Sequence, residues 1–172
     1  MPAPVIEVTL QDAALRQVLN RLALAGEDMT PAMGRAAAIM AMAVDENFAA
    51  QGRPGWPPLN PDYAAAKSAA GFGEAILTRG GRLRASIAQS PTWGRNFATV
   101  GTNMVYGPIH QFGGTITPKS AKSLRFPIGE RIAHAQRVTI PARPYLMLTA
   151  EDEIALQEAV GEALLQIAQK GP

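Results

Sequence analysis

The 172-residue sequence contains no cysteine and only two histidines. Without cysteine the chain can form no disulfide, iron–sulfur cluster or thiol nucleophile, and it tolerates reducing and oxidising compartments alike. His110 and His134 lie far apart and have no carboxylates at metal-ligand spacing, so the sequence carries no zinc motif. We therefore expect neither a metal nor a cofactor.

Long apolar runs are also missing, and aromatic residues make up only 6% of the chain. No stretch approaches the roughly 18 uninterrupted apolar residues of a membrane-spanning helix. The opening MPAPVIEVTLQD lacks the basic start and apolar run of a secretory signal. We expect no membrane contact and synthesis in the cytoplasm, with a core built from many small helical contacts.

Catalytic motifs are absent as well. No serine lies in a G-x-S-x-G turn, and the glycine-rich stretches GFGEA and RGGRL have neither the spacing nor the lysine of a phosphate-binding loop. Most carboxylates fall in the acidic segments at the two ends, where solvated helix faces explain them. The sequence therefore predicts a protein that is not an enzyme.

Charge is distributed unevenly, although the net charge is only +2. Residues 53–143 carry twelve basic and three acidic side chains, whereas the segments before and after them have net charges of −3 and −4. Such a basic middle can bind nucleic acid, meet the acidic ends of another subunit, or simply be solvated. Its cations form an arginine cluster and a longer series that could face DNA: Arg79, Arg82, Arg84; Lys119, Lys122, Arg125, Arg131, Arg137. Trp93 and Phe126 add aromatic faces, but no recognition motif accompanies them.

Helical signals occur at both ends of the chain. Apolar spacing predicts helices at 12–25, 30–51 and 62–70, the second capped by Thr30 and the third by Asn60. Thr78 is expected to cap a turn at 82–84. The clearest helix is 149–170, because Thr149 and Asp152 form a capping-box pattern and its apolar face is regular: Leu156, Val160, Ala163, Leu164, Ile167.

Strand signals occupy the middle and the extreme N-terminus. They are 5–10, SIAQSPTW, NFATVGTN, TITP, LRFPI and RVTIP, which together predict a sheet of four or five strands. We expect one α+β domain, with N-terminal and C-terminal helices on a small antiparallel or mixed sheet. Its parts are a strand and helices in 1–52, the sheet in 86–148 and the C-terminal helix. The basic segment 115–138 is expected to be an extended loop or a projecting β-hairpin.

The stretch RPGWPPLNPDY at 53–63 contains four prolines and one tryptophan. Proline fixes φ and removes a backbone donor, so this segment is a stiff, irregular arm. Ordering a stiff arm against a partner costs less entropy than ordering a flexible loop. Docking on a partner and packing on its own domain are both consistent with this pattern.

Four blocks in order, NFAAQGRPGWPPLNPDYAAAK, ILTRGGRLRASI, VGTNMVYGPIHQFGG and IPARPYLMLTAEDE, resemble the Mu-like phage virion morphogenesis family, whose members are also described as tail completion proteins. The resemblance covers residues 47–153. Two departures concern local turn geometry: Gly80 stands where a Ser or Thr often precedes G-R-L, and Gly107-Pro108 replaces a more helical pair.

This resemblance implies a noncatalytic structural protein at the head–tail junction. The partner-docking arm would be carried by Trp56, Pro57, Pro58, Leu59 and Tyr63. Contacts between subunits or within the neck would be made by Arg79, Leu83, Tyr106, His110, Gln111, Phe112, Arg143 and Tyr145. For Arg143, pairing with an acidic helix is expected rather than a DNA contact.

The expected assembly is a homomeric ring in the virion neck, six-fold rather than twelve-fold, with DNA passing through its lumen. Its partners would be the portal or connector proteins, the tail tube or tail terminator proteins, and DNA contacted without sequence preference. The alternative is a sequence-nonspecific nucleic-acid-binding protein.

Overall fold

The computed structural model describes residues 28–170, together with residues 17, 20, 21, 23 and 26. Those five earlier residues are helical and fall within or directly after the predicted helix 12–25. The predicted strand at 5–10 lies outside the described residues. The description below starts from the first continuous helix.

Helix α1, Thr30–Ala49, is the central element of the fold. Its buried residues Ala37, Val44 and Phe48 lie on one apolar face of the helix, on which Met33 and Met40 are half-buried. Thr30 is not the cap, because Met29 occupies that position. The Asp28 carboxylate instead accepts hydrogen bonds from the Thr30 amide (3.0 Å) and hydroxyl (2.6 Å).

Two shorter helices follow the proline-rich arm. In α2, Pro61–Ala69, the Asn60 side chain accepts a hydrogen bond from the Tyr63 amide, as the sequence predicted. Helix α3, Arg82–Ala88, starts after Gly81, and the Thr78 hydroxyl donates to Ala75 O instead of capping it. The prediction of a strand through 86–88 was therefore wrong, because these residues continue α3.

The strands within residues 28–170 do not form one sheet of four or five strands, and that prediction was also wrong. They form three separate antiparallel pairs: β1 (Thr92–Trp93) with β2 (Ala98–Thr99), β3 (Gly114–Ile116) with β6 (Val138–Ile140), and β4 (Leu124–Ile128) with β5 (Arg131–Ala135). Each strand is short, and the core is built by helices, so no strand pair needs a third neighbour to cover it. A short helix, α4 (Gly107–Phe112), directly precedes β3.

The basic segment forms the expected β-hairpin. Strands β4 and β5 are joined at Gly129–Glu130 and are inserted between the paired strands β3 and β6. Along β4, Leu124, Phe126 and Ile128 are half-buried on one face, whereas Arg125 and Pro127 are exposed on the other. The hairpin touches α2, where Arg131 pairs with Asp62 at 3.2 Å.

Helix α5, Ala150–Lys170, begins with the predicted capping box. The Thr149 amide donates to the Asp152 carboxylate (2.9 Å), and the Asp152 amide donates to the Thr149 hydroxyl (3.3 Å). The predicted apolar face points inward and packs against α1, with Ala163 buried. The fold is therefore α+β, as predicted, with a core of large side chains between α1, α3 and the loops: Val44, Phe48, Trp56, Leu83, Ile87, Tyr145.

Candidate partner-binding groove

The proline-rich arm folds back onto its own domain through Trp56. This side chain is 7% exposed and packs edge-on against Phe48, with ring centroids 5.5 Å apart. Its indole N–H donates to Pro144 O at 3.0 Å. Gly52, at φ +100°, makes the approach possible, since an added Cβ would lie 2.5 Å from the indole ring. Trp56 is thus a core residue of its own chain, which corrects its expected role as an exposed docking anchor.

Arg143 joins the later turn to the same arm. Its guanidinium donates to Pro57 O (2.9 Å) and Pro58 O (2.8 Å), and the residue is 5% exposed. Burial lowers the pKa of Arg143, because a desolvated charge is disfavoured. The expected pairing with an acidic helix is wrong, since its partners are backbone carbonyls. Pro57 and Pro58 themselves have exposed side chains.

The central block VYGPIHQFGG contains α4. Some of its side chains point into the domain and others are exposed to solvent. Gln111 points inward, where its carbonyl oxygen accepts from the Tyr145 and Leu146 amides, each at 3.0 Å. Phe112 is 78% exposed at the end of α4, and Val105 just before α4 is 97% exposed. Tyr145, expected at a subunit contact, is instead buried in the core at 1% exposure.

His110 is half-buried on α4, and its Nδ1 has no hydrogen-bond partner among the described residues. Burial lowers the pKa of His110, and the nearby charge of Arg143 lowers it further. Tyr106 packs edge-on against its ring at a centroid distance of 6.0 Å. A neutral imidazole is therefore the favoured form at this position.

The arginine turn before α3 also divides into a core residue and surface residues. Leu83, 2% exposed, belongs to the core, which corrects its expected role as a contact between subunits. Arg79 is exposed and lies over the Phe72 ring at 4.9 Å. Arg84 pairs with Asp45 on α1, so it supports the packing of α3 on α1.

A groove of about 1130 Å³ lies between the hairpin and the body of the domain. One wall is the half-buried face of β4, and the opposite wall comes from the arm, α2 and the arginine turn. The predicted site residues that line it are Leu59, Tyr63, Arg79, Leu83, Tyr106, His110, Arg125 and Arg143. The remaining predicted site residues lie elsewhere: Trp56, Pro57, Pro58, Gln111, Phe112, Lys119, Lys122, Arg131, Arg137, Tyr145.

Lys67 is a groove residue that sequence reasoning missed. It is 4% exposed, and its ammonium donates to Gly73 O (2.9 Å) and Ala75 O (2.6 Å). Burial lowers the pKa of Lys67, and the neighbouring charge of Arg79 adds to the effect. A lysine in an alanine-rich helix gives no sequence signal of burial, because lysine is almost always exposed.

The surface cations and the surface acids lie on different elements. Lys119, Lys122, Arg125 and Arg137 are exposed in or beside the hairpin, and none forms a salt bridge within the described part of the chain. Glu153, Glu158 and Glu162 are exposed on α5 and are likewise unpaired there. The separation therefore holds for these unpaired side chains, whereas Arg53 and Arg84 of the basic middle pair with acids of the two end segments: Glu46, Asp152 and Asp45.

Two further observations concern chemistry and membranes. Within residues 28–170 and the five described residues before them, no three His, Asp or Glu side chains are grouped so that they could hold a metal ion. No helix in this part of the chain is long and apolar enough to cross a membrane.

Comparison with known proteins gives a consistent assignment. Residues 10–165 match the phage virion morphogenesis family. The chain is 33% identical over 156 residues to the "Mu-like prophage FluMu G protein 2" of Haemophilus influenzae, covering 90% of this chain and 93% of that protein. It is 33% identical over 139 residues to the "Putative capsid assembly protein G" of Escherichia phage Mu, covering 76% and 78%. No solved structure matches the chain.

These matches define the class of protein as a structural protein of phages. The chain belongs to the phage virion morphogenesis family, as its four sequence blocks predicted. Its role is in the assembly of the phage virion.

Proposed function

We propose that this protein forms a homomeric ring in the neck of the virion, where it completes the tail and joins it to the DNA-filled head. The observation that carries the proposal is the exposure of two large apolar side chains around α4, Val105 at 97% and Phe112 at 78%. Exposed apolar surface of this kind marks sites of protein contact. Tyr106, 43% exposed, extends the same surface.

The charge distribution supports a contact in which two different surfaces meet. Acidic side chains on α5 and basic side chains around the hairpin attract each other between copies, which favours head-to-tail association. A head-to-tail contact closes into a ring when its rotation allows. We propose six subunits, with twelve as the alternative.

The mechanism is that of an adapter without catalysis. One ring surface matches the portal or connector proteins, and the opposite surface matches the tail tube or tail terminator proteins. Exposed cations of the basic segment that face the lumen contact the DNA phosphates without reading sequence. The protein is made in the host cytoplasm and becomes part of the virion.

The test is to disrupt the gene in the phage or prophage that encodes it. We expect DNA-filled heads and tails of normal length to accumulate unjoined, and purified protein added to the lysate to restore infectious particles. Normal virions would contradict the proposal. A defect in head formation would also contradict it and would place the role in capsid assembly, for which the phage Mu relative is named.

The exposed apolar surface around α4 provides a sharper test of the ring. Phe112→Ser should reduce ring formation in light scattering while leaving the circular dichroism spectrum unchanged, because Phe112 contributes little to the core. Met42→Ser, which removes a 63% exposed side chain from α1, is the matched control. Equal effects of the two substitutions would show that α4 is not the contact.

A second candidate, sequence-nonspecific nucleic-acid binding, is favoured by the four unpaired cations in and beside the hairpin. Binding of free duplex DNA should then weaken steeply as salt increases, and Lys122→Glu should reduce the slope. Strong DNA binding by a protein that never assembles with tails would favour this candidate over the ring.

A further inference from the structure

The outward face of α5 carries a regular stripe of four residues, Ile154, Glu158, Gly161 and Leu165. Their spacing of i, i+4, i+7 and i+11 puts them on the side opposite the buried Ala163, over a length of roughly 16 Å. Ile154 and Leu165 are 56% and 54% exposed, and Glu162 lies beside the stripe. The stripe therefore presents one apolar side chain near each end, with a carboxylate and a glycine between them.

Gly161, at the centre of this stripe, is not required by any contact among the described residues. A Cβ added at Gly161 would meet no atom within 4 Å, so the packing of α5 does not require a glycine. Glycine in a helix interior is less stable than alanine, because it loses more backbone entropy on folding. A missing side chain at this point does allow another surface to approach the helix backbone closely.

The groove beside the hairpin has the complementary chemistry. Among the described residues, Asp62 is the one carboxylate that lines it, whereas five cations do so: Lys67, Arg79, Arg82, Arg125, Arg143. Lys67 and Arg143 are buried, and within the described residues neither has a carboxylate within 4.0 Å. Their hydrogen bonds to backbone carbonyls satisfy donor groups but leave both positive charges without a counter-charge, so the groove attracts an incoming carboxylate.

The lining of the groove indicates a polypeptide occupant. Its volume of about 1130 Å³ is close to the upper end of the roughly 300–1,000 Å³ typical of small-molecule sites, so the choice of occupant rests on the chemistry of the walls. Leu124, Phe126 and Ile128 supply an apolar wall, which suits an amphipathic helix better than a phosphate backbone. None of the residues 150–170 lines the groove, so the helix of the same copy does not fill it.

We propose that α5 of one copy docks through the stripe into the groove of the next copy, with Gly161 against β4. This contact rests on the proposed function, since it is one way in which the ring would close. Donor and acceptor are different surfaces, which is the arrangement that a ring or filament requires. The carboxylates of Glu158 and Glu162 would meet the cations of the groove.

Cysteine cross-linking tests the contact. Because the natural sequence contains no cysteine, only the introduced cysteines can form disulfides. Gly161→Cys in a tagged copy is mixed with an untagged copy that carries Leu124→Cys, Phe126→Cys or Ile128→Cys. Because a disulfide needs Cβ atoms about 3.5–4.5 Å apart, we expect mixed dimers with at least one of the three under mild oxidation. Gln89→Cys, on an exposed residue outside the groove, is the control and should give none. Cross-linking no stronger than this control, for all three positions, would overturn the proposal.

Two substitution sets separate contact from stability. Gly161→Leu should leave the melting temperature unchanged or higher, because a helix-favouring side chain enters open space, yet it should abolish ring formation and cross-linking. Glu158→Lys with Glu162→Lys should weaken assembly, as should Arg82→Glu with Arg79→Glu, and combining all four in one chain should restore it. Gln89→Lys with Asn103→Lys, which adds positive charge at exposed positions outside the groove, is the control. Assembly by Gly161→Leu as strong as by the wild type would overturn the proposal.

The outcomes distinguish this contact from the neck function. A ring on purified tails that forms without the cross-link refutes the contact and leaves the ring intact. A cross-link in a protein that never binds tails supports the contact and refutes the neck function. Loss of the cross-link on adding duplex DNA would show that the groove takes phosphates, which also refutes the contact.

Discussion

Asn47 connects three parts of the chain and is completely buried on α1. Its amide group donates to Tyr145 O (3.0 Å) and Met147 O (2.8 Å), while its carbonyl oxygen accepts from the Arg53 Nε (2.8 Å). The helix, the arm and the segment before α5 therefore meet at one side chain. A buried polar residue is tolerated here because its hydrogen-bonding groups are satisfied.

Asn47→Ala should destabilise the fold strongly. The substitution removes three hydrogen bonds and leaves two buried carbonyls without this donor, so we expect a loss of about 2–4 kcal/mol in the free energy of unfolding. Urea denaturation at fixed protein concentration measures it. Asn103→Ala, at an exposed position, should change it by less than about 0.5 kcal/mol. A small effect of Asn47→Ala would mean that water replaces these bonds.

Trp56 is the residue at which a stability effect and an assembly effect can be separated. Trp56→Ala should cost about 3–5 kcal/mol because it empties part of the core, whereas Trp56→Phe keeps a ring and costs less. Both should lower the melting temperature, and at temperatures well below melting Trp56→Phe should assemble like the wild type. Lost assembly with unchanged melting would restore the docking role for this side chain. Pro57 and Pro58 are exposed, so their contact with a partner stays a prediction.

At this scale the sequence predicted what kinds of residues matter but not which way they point. The prolines indicated a stiff arm. Stiffness is equally compatible with packing on the chain's own core and with docking on a partner, and Trp56 packs in the core. Arg143 donates to proline carbonyls and not to a carboxylate. This contact depends on the tertiary fold, which brings residue 143 next to the arm, and therefore could not be predicted from the local sequence. The position of Asn47 on the apolar face of α1 was the sequence signal that it is buried. Composition and motif searches do not detect a signal of this kind.

Helix α5 depends on its first turn, where Asp152 both caps the helix and pairs with Arg53 at 2.7 Å. Burial by itself would raise the pKa of Asp152, but the Thr149 amide and the Arg53 guanidinium together hold it below the ordinary value of 3.8. A carboxyl whose pKa is lowered by folding stabilises the fold at pH values above its unfolded-state pKa. That contribution is lost as pH falls through the folded-state pKa.

Asp152→Asn should therefore lower stability at pH 7 by about 1–2 kcal/mol. The difference from the wild type should shrink as pH falls below 3.8, because the wild-type carboxyl then becomes neutral too. Melting temperatures measured from pH 7 to pH 2 give both curves. Glu153→Gln removes the same charge from the same turn without breaking the pair and serves as the control. Parallel curves at every pH would contradict the assigned role of the carboxylate.

The hairpin can be removed without disturbing the strands that carry it. Ile116 on β3 faces Val138 on β6, so residues 117–137 can be replaced by Asn-Gly, which forms a two-residue turn. We expect the melting temperature to fall by less than about 4 °C, since the hairpin contacts the body mainly along α2. Assembly in light scattering should be lost. A variant that unfolds would show that the groove wall is part of the core.

Among the elements, helices were predicted better than strands for a physical reason. Caps and apolar periodicity are local, so α2 and α5 begin where Asn60 and Thr149 indicated. Strand pairing depends on distant residues, so three separate pairs could not be distinguished from one sheet. The groove lies between segments far apart in sequence, and its buried Lys67 could not be foreseen from one helix.

For the whole molecule, the central property is that the unpaired acids of α5 and the unpaired cations in and beside the hairpin lie on different elements of the described chain. In the proposed ring these two surfaces meet between copies, and salt would weaken the contact by screening the charges. The exposed apolar side chains around α4 supply a second surface for contacts with protein partners in this member of the phage virion morphogenesis family.

The most direct measurement is a cryo-electron microscopy reconstruction of the virion neck, computed without imposed symmetry. We predict a closed ring of six copies of this fold between the portal and the tail, with each α5 in the groove of its neighbour and DNA in the lumen. Density for this protein in the capsid shell, or a neck without a ring of this fold, would contradict the account.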